Sequence, residues 1–585
     1  QTDRQTDRQT DRQTDRQTGY PSIDKPWMKY YSDEALQAEL PRQTLYGYVY
    51  DNNKNNMDDI EFCYFGRKIS YRDFFENVKR TAEAFAAFGI KKGDFVTILS
   101  LVTPETIFCI YALNYIGAVA NMGSLSLTGN EIVETVRNTH SRITIVMDVA
   151  AQKVLNVHNE LSSELTIVLN TETSMSWTAR LFVGFKKKNR FPSIKNLLSY
   201  AAFVKKYTGS GNLEPCRYEK DMPAVIVYTS GTTAKPKGVV LTNDSINAVA
   251  FQYRYSGMKF KRGETILTFI PPFFAFGFSL DIHMPLTLGV KEILSPNPKP
   301  TDVVDKYRKY KPNHFVAAPS NIVRLIEEMK DNSMKFCVTL AGGGESLTPR
   351  QEKMINTYLE EHECKAKYIS GYGMTEFAAT VTTGLNNVYK EGTLGIPLCR
   401  TIVKIVDTET LEELPYNEVG EMCFHTPSQM KEYFCNSTET AKTIRKHKDG
   451  LDWIHTGDLG FVDEDGFVHF KGRIKRIYMT AMADGSLTKV FPARTEEVLS
   501  EVSGVEKCAV SVILEDNLVK EQVAYLVLSD DVAGEECIKA VQRHCKEKLP
   551  AYYAPDRYVV LDELPLTQSG KTDYMRLEKL NQSDC

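Results

Sequence analysis

The sequence predicts an α/β protein of layered sheets and helices, closed by a smaller α+β domain near its C-terminal end. Short β-branched apolar runs alternate with helical patterns from about Gly19 onward, and that alternation builds α/β layers. After about Lys471 the pattern tightens into EKCAVSVILED, QVAYLVLS and EECIKAVQRHCKEKL, two strand runs and a helix. The chain of 585 residues is also too long for one core. At roughly 150 residues per domain it makes about four domains or large subdomains.

Taken in order, the first eighteen residues are QTDR repeated four times plus QT. They carry nothing apolar to bury, so segment 1–18 is expected to stay disordered. SYRDFFENVKRTAEAFAAFG (70–89) reads as an amphipathic helix that Ser70 caps and Gly89 ends. FVTILSL (95–101), ITIVMDV (143–149), LTIVLN (165–170) and AVIVYTS (224–230) read as strands. The longest apolar stretch, 107–122, is interrupted by Asn114, Gly117 and Asn121. It falls short of the ~18–20 residues of a spanning helix and reads as a buried helix followed by a turn.

Composition excludes several classes. Hydrophobic residues at 42% and charged residues at 25% lie in the soluble globular range. A net charge of −4 gives no footprint for nucleic acid. The twelve cysteines include no CxxC pair, which points to reduced thiols in a cytoplasmic setting rather than zinc or disulfides. No basic-then-apolar leader opens the chain, so secretion is not expected.

The chemistry concentrates in YTSGTTAKPKG (228–238), directly after a strand. Small residues let the backbone approach a polyphosphate, and hydroxyls and N–H groups donate to its oxygens. It is not a Walker loop, because GxxxxGK[ST] is absent. Five further motifs come after it in order: AGGGES (341–346), GYGMTE (371–376), HTGDLG (455–460), GRIK (472–475) and PLTQSGKTDY (565–574).

Together these motifs resemble those of the adenylate-forming superfamily of acyl-CoA synthetases, luciferases and adenylation domains. The resemblance implies a large N-terminal domain, 19–471, of stacked αβαβα layers plus a β subdomain. It further implies a hinge at 472–476 and a small mobile C-terminal lid at 477–585. By the same resemblance Thr229, Ser230, Gly231, Thr232, Thr233, Lys235 and Lys237 hold the β- and γ-phosphates of ATP. Gly342, Gly343, Gly344 and Glu345 line the adenine and acyl side, Gly342 towards the substrate. In the Gly371, Tyr372, Gly373 turn, Tyr372 stacks on adenine. Thr375 touches the α-phosphate and Glu376 helps to hold Mg²⁺, a hard cation that prefers carboxylate oxygen. Asp458 accepts from both ribose hydroxyls with Arg473 assisting. Lys571 bridges the carboxylate and α-phosphate as charge builds. Lys475 matches the hinge position, although it also sits in a basic cluster with Lys471, Arg473 and Arg476.

The chain departs from that pattern in two places. After the hinge, 478–491 is lengthened, and Arg494 stands two residues after Pro492 where the family commonly has glutamate. That leaves the acceptor thiol open. In PPFFAFG, Phe274 stands where many acyl-CoA ligases have histidine. Asp281 aligns poorly with the aspartate of amino-acid-activating members. Phe273, Phe274, Phe276 and Phe278, with Gly277, suit an apolar wall for a fatty or aryl acid, and core packing explains them equally well. His283, His314 and His455 read as structural, with no partner at a metal-ligand spacing. Segment 175–191 mixes Trp177 and Leu181 with lysines and arginines. A solvated insertion is the favoured reading and peripheral membrane contact the other.

The expectation is therefore an ATP-dependent ligase, with Mg²⁺ and coenzyme A. It activates a carboxylic acid as its acyl-adenylate, releases pyrophosphate, and then forms a thioester. Two alternatives remain: loading of a carrier-protein phosphopantetheine, and a non-catalytic nucleotide-binding scaffold.

Overall fold

The computed structural model describes residues 18–184, 195–209, 211–229, 236–297, 299–329, 333–345, 347, 349–385, 387–481, 487–529, 532–567 and 571–583. The QTDR repeat through residue 17 lies outside them. Among the described residues the strands form four sheets, two large and two small.

The helix read at 70–89 runs Tyr71–Phe88, with a reciprocal cap between Ser70 and Asp73 and Gly89 at φ 105° after its last turn. Such a cap contributes about 1 kcal/mol. Its partner Pro104–Ile116 is buried along nearly its whole length, as a helix with apolar residues on every side must be. More than a turn comes next. After Gly117 the chain forms a fully buried strand, Val119–Met122. This strand lies between Phe95–Leu99 and Pro223–Tyr228 in the eight-stranded sheet. Asn121 is tolerated there because its amide donates to Thr97 Oγ1 and its carbonyl accepts from the Tyr228 hydroxyl. The other expected strands form one or two residues shorter, as Phe95–Leu99, Ile143–Met147 and Leu165–Leu169.

The nine-stranded sheet contains the parallel strands Thr339–Gly343 and Tyr368–Gly373. A five-stranded antiparallel sheet is built round the long strand Asp452–Val462, which pairs with Gly420–His425, Ile444–Lys446 and Val468–Arg473. The last sheet carries the hairpin Val505–Glu515 and Leu518–Leu528 with the helices Pro492–Ser500 and Gly534–Lys548. The lengthened segment after GRIK is a hairpin, Tyr478–Ala481 against Leu487–Val490; residues 482–486 lie outside the described set.

The N-terminal stretch clasps the antiparallel β region and the end strand Ile396–Pro397 of the nine-stranded sheet. Trp27 is buried against Gly466, and the Tyr31 hydroxyl donates to the Pro397 carbonyl at 2.7 Å. Ser22 donates to Glu413 at 2.6 Å and Tyr416 to Asp24 at 3.1 Å. No helix among the described residues is long and apolar enough to cross a membrane.

Candidate active site

The phosphate-loop motif is the tip of a hairpin. Strands Pro223–Tyr228 and Gly238–Thr242 run antiparallel with Tyr228 opposite Gly238. The Thr229 N–H donates to the Lys237 carbonyl at 3.0 Å, and the Lys237 N–H donates to Thr229 Oγ1 at 3.1 Å. Thr229 and Lys237 thus close the neck of the loop. Ser230, Gly231, Thr232, Thr233 and Lys235 lie outside the described residues. Lys237 Nζ lies 3.2 Å from Glu439 and 4.2 Å from the Tyr433 ring centroid.

The glycine motifs sit at the carboxyl ends of adjacent parallel strands, where open α/β sheets form their ligand crevices. Gly342 lies opposite Ser370, and Gly343 opposite Gly371. Two of these glycines are required by packing. A Cβ on Gly342 would come within 2.2 Å of the Tyr368 hydroxyl, and one on Gly373 within 1.8 Å of the Ala379 carbonyl oxygen. Glu345, just beyond Gly344, accepts from the Ser320 N–H at 3.2 Å. The tight turn Thr375–Phe377 ends at Ala378, held at φ 61°. A non-glycine residue in that region stores local strain. Glu376 inside the turn is buried, and Tyr433 donates to its Oε1 at 2.5 Å.

Tyr372, Asp458 and Arg473 converge from three strands, and Lys571 comes within electrostatic reach of them from a fourth segment. The Tyr372 hydroxyl donates to Asp458 Oδ2 at 2.6 Å, and one face of its ring packs on Phe424. Asp458 sits opposite Arg473 across two paired strands, with Arg473 Nε 3.1 Å from Oδ1. Asp458 is 1% exposed and Arg473 54%, so the acid is fixed and the cation faces outward. Lys571 is brought in from the C-terminal sheet region. Its strand-like neighbours Leu566 and Thr572 bridge, and the Thr567 N–H donates to the Lys571 carbonyl at 2.7 Å. Burial and the positive Arg473 lower the Lys571 pKa, while Asp458, Glu345 and Glu376 pull it up. Burial raises the Asp458 carboxyl against the lowering effect of Arg473, Tyr372 and Lys571.

Lys475 lies in the short turn Ile474–Arg476. The basic residues around it do not form one cluster. Arg473 pairs with Asp458 before it, whereas Arg476 after it pairs with Glu496 at 2.8 Å and stacks 3.7 Å over Tyr574. Arg494 lies over the Tyr553 ring.

The phenylalanine wall divides. Phe278 is fully buried beside Tyr111 and His283, and Phe273 is nearly so, which makes both core residues. Phe274 and Phe276 are half-buried. Gly277 packs so closely that a Cβ would meet the Pro271 carbonyl oxygen at 2.2 Å. Asp281 is structural: its Oδ2 accepts from the Phe269 and Ile270 N–H groups. His283 lies between Tyr111 and Asn247, and burial lowers its pKa to about 3. In segment 175–191, Trp177 is 74% exposed and Leu181 53%, while residues 185–191 fall outside the described set.

Sequence reasoning missed three contacts. Tyr433 holds Glu376, Glu439 meets Lys237, and His455 does have metal-type partners, Glu421 and Cys423. Residues 57, 202 and 34 positions apart meet in these pairs, and local spacing carries no signal for that.

The model of the AMP-binding enzyme family matches residues 49–434, and that of the AMP-binding enzyme C-terminal domain matches 494–571. This chain belongs to the AMP-binding enzyme family. It is an acyl-CoA synthetase-like ligase. It is similar to a long-chain-fatty-acid–CoA ligase of Bacillus subtilis (strain 168), 25% identical over 94% of this chain and 97% of that protein. It is also 26% identical to 4-coumarate–CoA ligase 4 of Arabidopsis thaliana, over 86% of this chain and 85% of the other. Among solved structures, the anthranilate CoA ligase AuaEII in complex with anthranoyl-AMP has a TM-score of 0.78 at 20% identity, covering 92% of this chain and 98% of that one. ATP-bound MatB from Rhodopseudomonas palustris has the same TM-score and identity, covering 92% and 99%. These likenesses carry the αβαβα-type N-terminal architecture and the small C-terminal domain.

Proposed function

We propose that this ligase converts a fatty or aryl carboxylic acid to its acyl-adenylate, with release of pyrophosphate from ATP, and then to its coenzyme A thioester. The observation that supports this most is the pairing of buried Asp458 with Arg473, 3.1 Å apart, with Lys571 within electrostatic reach of both and of Glu345 and Glu376. The reaction joins two anions, so a half-buried cation at their meeting point lowers the barrier by preorganised electrostatics. The domains proposed are 19–471 for ATP and acid, 472–476 as hinge and 477–585 as lid.

In this reading Asp458 holds the ribose, Tyr372 stacks on adenine, and the hairpin closed by Thr229 and Lys237 cradles the outer phosphates. Gly343, Gly344, Gly371 and Gly373 let the nucleotide lie against backbone, and Thr375 turns towards the α-phosphate. The donor set fits a nucleotide and a hard cation: Glu376, fixed by Tyr433, would hold Mg²⁺, which screens phosphate charge when bound. Lys571 orients the acid carboxylate against the α-phosphate, and the carboxylate oxygen displaces pyrophosphate.

After that step the backbone at Lys475 turns, withdrawing Lys571 and presenting another lid face for attack by a thiol. Coenzyme A is the acceptor proposed over a carrier protein, because the relatives named above are CoA ligases. Half-buried Phe274 and Phe276 support an apolar acid. The chain is proposed to work in the cytoplasm, and exposed Trp177 and Leu181 beside the basic run support peripheral contact with a membrane surface.

The test is pyrophosphate release from ATP across fatty, aryl and amino acids, with and without coenzyme A. Release with one apolar class, accelerated by coenzyme A, is expected. ATP binding with no release across the panel overturns the reading in favour of a scaffold.

A further inference from the structure

The antiparallel sheet beside the site holds a second cluster of chemically active side chains. Glu421 and Cys423 lie on Gly420–His425, and His455 lies on the neighbouring strand Asp452–Val462, directly opposite Cys423. A register shift between Glu421 and Cys423 brings the carboxylate to the same spot as the thiol. His455 Nδ1 lies 2.8 Å from Glu421 Oε2 and 3.4 Å from Cys423 Sγ. All three side chains are buried, and their donor atoms lie within 4.8 Å of one another.

We propose that Glu421, Cys423 and His455 form a binding site for a borderline divalent cation of the zinc type. One oxygen, one sulfur and one nitrogen donor match the ligand set that such a cation takes, leaving a fourth position for water. The carboxylate and the thiolate balance the charge of the ion, so burial does not leave a net charge unpaired. The outer shell is also present. His447 Nε2 lies 2.9 Å from His455 Nε2, and the Gly457 N–H donates to Glu421 Oε1 at 2.9 Å. Bonds of this kind fix the orientation of a ligating imidazole and carboxylate. On binding, the Cys423 thiol loses its proton to solvent. The imidazole proton of His455 moves from Nδ1 to Nε2, where it is donated to His447, and the His447 proton moves to its own Nδ1. Burial and the Glu421 carboxylate hold the Cys423 thiol well above its ordinary pKa, with Arg445 and Lys404 opposing in part, so the ion itself must drive release of the thiol proton. The site lies three residues before Asp458, so an ion there stiffens the strand that carries this acid.

The test uses the full chain with reduced thiols, titrated with Co²⁺ in the absence of other metals. A thiolate-to-cobalt charge-transfer band that saturates at about one equivalent and is displaced by Zn²⁺ is expected. Cys423→Ala is expected to abolish the band, and His455→Gln to weaken cobalt binding by about tenfold or more. Zn²⁺ should raise the Tm of the natural chain and leave that of Cys423→Ala unchanged. X-ray absorption on the zinc-loaded natural chain needs no variant, and one sulfur with nitrogen and oxygen neighbours is expected. No cobalt band, a band that persists in folded Cys423→Ala, or a shell of two or more sulfurs would overturn the proposal.

Discussion

Two parts of the large domain bury carboxylates, and they treat them in opposite ways. At the candidate active site, Asp458 has Arg473 and Tyr372 beside it and Lys571 within electrostatic reach. In the nine-stranded sheet, Glu61 and Glu292 lie fully buried on adjacent strands. Neither forms an ion pair among the described residues; the Tyr71 and Thr268 hydroxyls and the two carboxyls themselves lie near enough to interact. Burial, and for Glu292 the neighbouring Glu61, drive both carboxyls well above their ordinary pKa. Arg262 and Lys291 oppose this only in part at Glu61, and a buried acid with no paired cation takes up a proton instead. At the site the rise that burial causes in Asp458 is opposed by Arg473, the Tyr372 hydroxyl and Lys571, and one of these comes from the small C-terminal domain. The charge balance of the site therefore depends on where that domain sits.

The comparison breaks most easily at Lys571. Lys571→Ala is expected to lower acid-dependent pyrophosphate release by on the order of 10²–10³-fold while the fold stays intact. A rate like that of the natural chain removes Lys571 from the chemistry. A third arrangement, an acid of the small domain paired with a cation of the adjoining hinge, sharpens the contrast. Arg476 and Glu496 are both mostly buried, so Glu496→Ala strands a cation and should cost about 3 kcal/mol in lid stability. Hydrogen exchange across the lid and its unchanged rate elsewhere would check this.

Next in size, Asp458→Ala leaves the Tyr372 hydroxyl and Arg473 without their partner. The KM for ATP should rise by about tenfold to a hundredfold, the cost of an unsatisfied buried group; an unchanged KM argues against ribose binding. Lys475→Pro should slow thioester formation more than adenylation, read as separate half-reactions, and equal loss in both would count against a hinge there.

The smallest effect is expected at the buried glutamates of the nine-stranded sheet. Their folded pKa is raised, so the folded state binds more protons than the unfolded one above the ordinary glutamate pKa. Stability then falls as pH rises through that window. Glu61→Gln should therefore stabilise the chain by about 1 kcal/mol at pH 8 and by nothing near pH 4. Urea melts at both values would measure it, and equal gains at both would show that charge is not the cause.

The features legible in the sequence are the local ones. Ser70 and Gly89 mark their helix because caps act within a turn, and GYGMTE or HTGDLG can be recognised because each lies on one short segment. The strand Val119–Met122 is hidden by its length and by Asn121, whose side-chain partners lie on neighbouring strands. Glu61 and Glu292 look like ordinary strand-edge glutamates until two distant segments become neighbours. The His455 cluster is invisible for the same reason, since antiparallel pairing alone sets Cys423 opposite it. For Phe278 the sequence leaves pocket wall and core packing equally open, and burial decides for core.

The clasp of the N-terminal stretch on the β region has a consequence for how the chain is made. Trp27 finds its place only when Gly466 exists, and Tyr31 only when Pro397 does. A ribosome adding about 5–20 residues per second needs tens of seconds to cover that interval. Throughout synthesis of most of the large domain, a tryptophan and a tyrosine meant for the interior stay outside without their docking surface. The opening segment is thus among the last to be seated, and a nascent chain stalled before residue 466 carries an apolar N-terminal hook that chaperones can hold.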